Sequence, residues 1–515
     1  MSEQEPKATE SRIGTDEWVA QVGGRVRGRA GWWGQLADRW EALPLGWRYG
    51  LVVLLFLLIP PITGSQPVLN ALGISDNAFI LRTGVRFLTF SMLAIGLNVV
   101  VGYAGLLDLG YIAFMGIAGY LYAYLSSEFI QIEGVIPYGL AVPTIVSIPL
   151  IVLLVALLGW GIGAVSIRLA GDYLAIVTLG FGQVFLQLAL TATRVQVPGR
   201  DRPVDFTRGP NGINGLDNLR LFGYEFQSTL QYYYLFLLLL VLTYVVVHHL
   251  NQSRVGRGWR SIREDELAAE LMGIPTRRMK LLAFAIGAGI AALAGATDAA
   301  FQGNVVPNPR YSALTLINLY AMVVLGGTGS LPGAIIGSFV FTVLPEVLRS
   351  VQLAGLLFYG LGVAALWRFL RPFSHFLTVV GGTIVVGGVF KLLVGLLAPQ
   401  WDTACSTLEA ACPQAGSLLN SIIQGWLVIP ENFQLVGNVA TGLAVATLLG
   451  FMVVKNGRYR WPLLGLTIYL LAFSWETRLA VEPAATRILI IGITLVVLMV
   501  TRPQGILGKA EVKII

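Results

Sequence analysis

The sequence predicts an all-α polytopic membrane protein, and three observations carry that expectation. Of its 515 residues, 55% are hydrophobic and only 12% charged, against roughly 25% charged in a typical soluble domain; the mean hydropathy is +0.72. The apolar residues gather in runs at 46–64, 78–101, 106–127, 138–167, 172–193, 230–250, 279–302, 310–327, 331–350, 355–370, 376–398, 434–455, 461–475 and 486–501. Measured against the roughly 20 residues a spanning helix needs, these make about fourteen transmembrane segments, several of them short. The third observation is 60 glycines, a heavy load for helices in water. In a bilayer, small residues let helix backbones approach closely and let helices break where a path must open. The expected architecture is a Gly-rich bundle with broken helices.

Charge then orients the chain. A net charge of +7 and a pI near 9.4 do not point to nucleic acid, because the arginines stand at the ends of apolar runs and form no stripe. Residues 1–45 are polar and acidic at first, then carry Arg25, Arg27, Arg29 and Arg39 before any apolar run, unlike a secretory signal. Trp32, Trp33, Trp40 and Trp47 beside those arginines suggest an amphipathic cytoplasmic tail lying on membrane lipid. With this end inside, the odd-numbered connections face outward, and 65–77, 128–137 and 399–433 contain no Lys or Arg. The even-numbered ones hold Arg168, the 251–280 cluster, Arg368 and Arg371, then Lys455, Arg458 and Arg460, and the tail with Arg502, Lys509 and Lys513. Both termini are therefore expected in the cytoplasm. The loop 194–229 departs from the pattern: it is expected outside, yet carries Arg194, Arg200, Arg202, Arg208 and Arg220.

Both cysteines, Cys405 and Cys412, sit in the outward loop 399–433. An oxidising compartment permits a disulfide there, with two free thiols as the alternative. Without a neighbouring His they make a poor metal site, and no metal is expected.

The stretch 251–280 is a polar island between two membrane-length runs. Its middle, about 261–272, reads as a short amphipathic helix with Ile262, Leu267, Ala268 and Leu271 near one face. Glu264, Asp265 and Glu266 lie close to its start, where a helix dipole favours acids, and Gly273 and Pro275 stop it. Periodicity permits two readings, a lever acting on something outside the membrane or an ordinary solvated helix.

Nothing in the chain looks catalytic, and no cofactor is expected. His248, His249 and His375 lie at membrane edges, and no G-x-x-x-x-G-K-[ST] loop is present, so work driven by ATP needs a partner. What remains are four Gly-rich interruptions of apolar runs, at 96–105, 106–120, 171–183 and 324–334. Each frees backbone groups that hydrocarbon cannot satisfy, as expected where protein or a water-filled cavity surrounds them. Close helix packing explains any single one; four together favour a transport path. Candidates to line it are Asn98, Tyr103, Asp108, Asp172, Tyr173, Thr178, Gln183 and Asn304. Ionisable groups inside the spans are few: Asp108 and Asp172 near helix breaks, Asp298 in the seventh span, and Lys391, which can snorkel outward. That scarcity suits a neutral or zwitterionic cargo and a path driven from outside, rather than a carrier coupled to an ion.

The runs GLNVVVGYAGLLDLGYIAFMGIAGY, RLAGDYLAIVTLGFGQV, SIREDELAAELMGIPTRRMKLLAFAIGA, MVVLGGTGSLPGAIIGSFVFTVLPEVLR and RPQGILG occur in this order. Together they resemble the LivM-type permeases of bacterial ABC importers for branched-chain amino acids. The resemblance implies a permease subunit in the inner membrane that is not itself an enzyme. It also implies a second homologous permease subunit, two cytoplasmic ATPase subunits that hydrolyse ATP, and a periplasmic substrate-binding protein. The polar segment 261–275 would be the coupling helix docking on an ATPase, through Arg263, Glu264, Asp265, Glu266, Ala268, Ala269 and Gly273. The importer signature E-A-A, three residues, then Gly is kept at Ala268, Ala269 and Gly273; Leu267 stands at the acidic position, with Glu266 one residue early. Related permeases carry urea or short amides, which leaves these as the alternative cargo, and a stand-alone secondary carrier or channel is the alternative class. The chain divides into a tail, 1–45, a core permease domain, 46–350, additional segments with an outer loop, 351–485, and the last span with its tail, 486–515. The additional segments match no motif of the family.

Overall fold

The computed structural model describes residues 77–127, 142–166, 172–193, 205–347, 373–397, 433–453 and 457–481 almost without interruption, with shorter pieces including 56–62, 358–360 and 505–507. Met1–Ile62 forms one unit and Thr63–Ile515 another. The 1–45 tail, Cys405 and Cys412 lie outside the described residues.

Hydrocarbon as solvent dictates which faces the helices hide. Helix α1 (Asn77–Asn98) runs into a π-helical turn, Val99–Tyr103, and is followed by α2 (Tyr111–Ser126), α3 (Thr144–Ser166) and α4 (Asp172–Thr191). On α3 the buried residues are Thr144, Ser147, Ile151, Val155, Gly159, Gly163 and Ser166, a stripe of mostly small or polar side chains at helical spacing. Its Leu153, Leu157, Trp160 and Val165 point outward. This is the reverse of a soluble helix: lipid is as apolar as leucine, so close approach of backbones decides which face goes in.

The partner of that stripe is α8 (Thr276–Gln302), which packs on α1, α2 and α3 together. Its run of Ala and Gly makes this possible. A Cβ on Gly295 would collide with the Met115 backbone of α2, and one on Gly159 of α3 would strike Ala288 of α8. Around this centre, α5 (Thr229–Gln252) packs on α1, and the pair α9 (Ala313–Gly326) and α10 (Leu331–Val347) packs on α1 through α10. The seam between α1 and α10 holds a hydroxyl pair, Ser91 Oγ and Ser338 Oγ, 2.6 Å apart, and an edge-on contact of Phe87 with Phe339 at 5.6 Å.

Two short polar helices, α6 (Arg254–Glu264) and α7 (Glu266–Leu271), connect α5 to α8 and define what we term the near end of the bundle. The chain arrives at the near end along α5 and crosses back to the far end along α8. At the far end the segment 205–227 is folded rather than loose: β1 (Ile213–Asn214) pairs antiparallel with β4 (Asn304–Val305), and β2 (Arg220–Leu221) with β3 (Tyr224–Glu225). Tyr122 Oη donates to Asp217 O at 2.9 Å and Tyr124 Oη to Phe206 O at 2.8 Å, fastening the segment to α2. Its arginines are occupied locally, Arg220 by Glu225 at 3.6 Å and Arg208 over the Phe129 ring at 5.0 Å. The basic loop that broke the charge pattern thus lies at the end opposite α6 and α7.

Six helices among the described residues are long and apolar enough to cross a membrane, and five further apolar helices are shorter. The shortening has a physical cause where the chain breaks. Helix α2 has 16 residues, about 24 Å at 1.5 Å per residue, and the irregular stretch 104–110 leads into it from the end of α1. Helices α11 (Phe373–Leu397), α12 (Phe433–Val453) and α13 (Gly457–Val481) pack chiefly on one another, with Ala440, Tyr469 and Phe473 buried between them.

The expected single helix over 261–272 is corrected. Asp265 interrupts it in extended conformation (φ −156°, ψ 114°), and its carboxylate accepts the Ala268 N–H at 2.9 Å, which makes it the N-cap of α7. Asp is a strong N-cap, so the acids begin α7 rather than decorate one longer helix. Gly273, at φ +80°, ends the segment.

Backbone contact at the centre yields a test. Gly295→Ala puts a Cβ into the Met115 backbone and is expected to cost at least about 1–3 kcal/mol. Gly161→Ala on α3 meets open space and should be neutral. Thermal unfolding in detergent compares the two; equal midpoints would refute the close approach of α2 and α8.

Candidate functional site

At the near end four segments distant in sequence meet. Helix α1 finishes in the π turn because Ala104 N–H donates to Val99 O at 3.2 Å and Leu106 N–H to Val100 O at 3.0 Å. Asn98, fully buried at the start of that turn, accepts the Gly329 N–H on Oδ1 at 2.8 Å. Gly329 belongs to the 327–330 loop joining α9 to α10. Gly102 can only be glycine here, since a Cβ would overlap Asn98 Oδ1 and crowd Gly329 N. Arg263, in the last turn of α6, donates from Nη1 to Gly102 O at 2.6 Å. Finally the C-terminal segment returns: Ile506 N–H donates to Leu325 O at 2.8 Å and Leu507 N–H to Gly326 O at 3.0 Å. Those are carbonyls that the end of α9 leaves open, and Gly505, at φ +81°, packs on Gly327.

A second group surrounds the stretch 104–110. Asp108 is buried; its Oδ1 accepts the Gly110 N–H at 3.0 Å and its backbone O accepts Tyr320 Oη at 2.7 Å. Asp108 Oδ2 and Asn98 Nδ2 are buried with no hydrogen-bond partner among the described residues. Thr178 of α4 accepts the Leu109 N–H at 3.0 Å and donates to Ala175 O at 3.1 Å. Tyr111 Oη donates to Gly287 O of α8 at 3.2 Å.

Helix α4 differs from α3 on its open face. Gly180, Gln183, Gln187 and Thr191, spaced three or four apart, form an exposed row flanked by the exposed apolar Ile176, Val184 and Leu188, together with Tyr173, which is 68% exposed. Amides on a membrane helix need a polar partner or water. The open face of α3 has only apolar side chains at its centre, so the two faces suit different surroundings.

Of the residues expected to line a path, the structure thus brings Asn98, Tyr103, Asp108 and Thr178 into the interior near the breaks, and leaves Tyr173 and Gln183 on the open face of α4. Asp172 begins α4, its side chain outside the described residues. Asn304 lies apart at the far end, in β4, where its carbonyl accepts Arg310 Nη1 at 3.3 Å. Arg310 also faces Asp298 of α8 at 3.7 Å, a pairing across twelve residues that the sequence does not signal.

The polar segment is fixed to the bundle from its inner side. Trp259, fully buried in α6, donates Nε1–H to Met279 O at 2.7 Å, and Glu266 pairs with Lys280 at the start of α8. Arg263, Glu264, Asp265, Glu266, Ala268 and Gly273 are exposed, whereas Ala269 is 4% exposed and turns inward. What projects outward is Leu267, Leu271 and Met272, exposed by 69%, 80% and 83% amid exposed charges. Ile262, expected on the same face as Leu267 and Leu271, is instead buried in α6, because the break at Asp265 turns α7 away. Tyr320 was not singled out by sequence, and Ile506 and Leu507 stood out only as part of the motif RPQGILG, without a partner. Among the described residues no three His, Cys, Asp or Glu side chains form a metal cluster.

Comparison with known proteins places the chain in a family. Residues 79–366 match the family described as branched-chain amino acid transport system, permease component. The chain is 37% identical over 349 residues to the high-affinity branched-chain amino acid transport system permease protein LivM of Escherichia coli strain K12, covering 61% of this chain and 76% of that protein. It is 26% identical over 258 residues to the permease protein BraD of Pseudomonas aeruginosa, covering 50% and 80%, and 41% identical over 105 residues to the permease protein LivH of Salmonella typhimurium, covering 20% and 33%. No solved structure matches significantly. The matched region holds nearly all of α1 and the helices through α10, with the buried polar contacts other than those of the C-terminal segment, and the chain belongs to the branched-chain amino acid transport system permease component family.

Proposed function

We propose that this chain is one permease subunit of an ATP-driven importer in the bacterial inner membrane, forming half of the translocation path for branched-chain or other neutral amino acids. A second permease of similar fold forms the other half, two cytoplasmic ATPases drive the cycle, and a periplasmic binding protein delivers the cargo. The observation that carries the reading is the exposed trio Leu267, Leu271 and Met272 on α7. It stands on a basic polar segment pinned to α8 by Trp259 and Lys280, as a surface awaiting an apolar groove in a partner does. Ala269 supports α7 from within instead of meeting that partner. The similarity to both LivM and LivH supports a paired permease. The basic character of 251–280 argues for a cytoplasmic near end and cytoplasmic termini. On this reading the shorter apolar helices also cross, giving about fourteen spans.

The open polar stripe of α4 is the face we assign to the path. It explains why Gln183 and Gln187 turn outward on a helix whose neighbour α3 shows lipid only apolar groups. One observation favours a second reading, a stand-alone ion-coupled carrier: Asp108 is a buried carboxylate with an unpartnered oxygen, and such groups often relay protons.

Three measurements test the proposal. Reconstituted with its partner permease, ATPases and binding protein, the protein should concentrate Leu or Val in proteoliposomes only while ATP is hydrolysed, and should continue when the proton gradient is collapsed. Concentrative uptake by this chain alone would favour the carrier, and uptake of urea but not Leu would change only the cargo. Introducing charge with Leu271→Glu and Met272→Glu should lower co-purification of the ATPases at least about tenfold; unchanged recovery would remove α7 from the interface. With Cys405 and Cys412 replaced by Ser, Gln183→Cys and Gln187→Cys should react with a water-soluble thiol reagent while Leu157→Cys on α3 does not. Equal protection of all three would take α4 off the path.

A further inference from the structure

Helix α1 ends at the near end inside the bundle, and Gly102 O is among the carbonyls that a helix terminus leaves without an internal donor. Arg263 supplies the donor from another helix, 161 residues further along the chain. A guanidinium at this position is favoured twice, by a charge-assisted hydrogen bond and by the negative end of the helix dipole. Its stem lies along Gly105, where a Cβ would sit 3.0 Å from Arg263 Cγ, and Nη1 lies close to Gly329, where a Cβ would stand 2.9 Å away. The 327–330 loop is itself tied to α1 by the bond from Gly329 N–H to Asn98 Oδ1.

The remaining anchors of the polar segment have a different character. Trp259 and Glu266 fasten it to the first turn of α8, its own continuation in the chain. Arg263 fastens it to the π turn that ends α1 and lies against the 327–330 loop, which separates α9 from α10 and is itself held to α1 by Asn98. π turns are held at some cost in backbone geometry and recur at functional hinges. A hydrogen bond of 2.6 Å tolerates less than an ångström of stretch before it is lost. A shift of α6 therefore either drags Gly102 with it or releases that carbonyl.

We infer that Arg263 is the positioning residue through which movement of α6 and α7 reaches the translocation path, by holding the carbonyl of Gly102, beside the Asn98 amide that ties down the 327–330 loop, to the polar segment. The inference rests on the reading of α7 as the ATPase-facing helix. It assigns the guanidinium of the exposed Arg263 to the Gly102 carbonyl, toward the path, and not to the partner.

The test uses the complete importer in proteoliposomes and reads three quantities for each variant: recovery of the ATPases, ATP hydrolysis and cargo taken up per ATP. Arg263→Ala should keep the ATPases bound and hydrolysis within about twofold of the parent, while uptake per ATP falls about tenfold or more. Arg263→Lys, with a single ammonium able to reach one carbonyl, should give an intermediate ratio. Arg260→Ala should leave the ratio unchanged, since Arg260 bonds only within its own segment, to Asn251 O at 3.0 Å and Gly256 O at 3.3 Å. A parental ratio in Arg263→Ala overturns the inference, as does loss of the ATPases from both Arg263 variants, which would make the residue part of the docking surface. If Arg263→Ala does not assemble, Arg263→Lys decides: a lowered ratio supports the inference and a parental ratio overturns it. Absence of ATP-dependent uptake by the parent importer would instead defeat the importer reading itself.

Discussion

The constraint on which this structure depends is that hydrocarbon offers no hydrogen bonds, so every interruption of a helix must be satisfied by another part of the chain. The near end meets that constraint reciprocally. Asn98 receives the amide freed in the 327–330 loop, Arg263 serves the carbonyl freed at Gly102, and the returning Ile506 and Leu507 serve the carbonyls freed at the end of α9. Each break supplies what its neighbour lacks. Removing one side chain would leave a buried group unpaired, a loss of the order of 1–3 kcal/mol for each.

That reciprocity also explains why glycine recurs in these stretches. Gly102 and Gly329 lie so close that the Asn98 amide fills the space a Cβ would take, and Gly505 rests on Gly327 with φ +81°. The small-residue face of α8 obeys the same logic on a larger scale. Its alanines and glycines bring the backbones of α2 and α3 within contact, where dispersion replaces the hydrophobic effect that is missing between helices in lipid.

Much of this was legible in the sequence, because it depends on residue size and local breaks. Three of the four Gly-rich interruptions coincide with breaks, at the π turn, the 104–110 stretch and the 327–330 loop; the fourth, 171–183, is instead the continuous first half of α4, where the glycines do not interrupt the helix. Asn98, Asp108 and Thr178 could be named as polar groups in apolar surroundings. What they bond to could not be named, since Thr178 meets Leu109 and Asn98 meets Gly329 across 69 and 231 residues. The polar segment was misread for a local reason. A run of three acids fits the start of one helix as well as the cap of the next, and only the tertiary packing of Trp259 and Ile262 turns the chain at Asp265. Ala269, which motif spacing assigned to a partner, faces inward on that account, and the exposed Leu267, Leu271 and Met272 take its place as the surface on offer.

The docking of the C-terminal segment constrains the part of the chain that matches no known motif. Helix α10 leaves the near end at Leu331, and Gly505–Leu507 must be back at the near end to reach Leu325 and Gly326. The chain between them therefore has to recross an odd number of times. One crossing by the last apolar run, 486–501, suffices, so any insertion before it must add an even number of spans. On the proposed reading four spans lie between α10 and that run: the helical pieces at 358–367, which fall almost wholly within the matched residues, and α11, α12 and α13 beyond them. Because these helices pack chiefly on one another, the bundle can accept them without altering the α1, α2, α3 and α8 contacts, while the tail still closes the junction at Gly327.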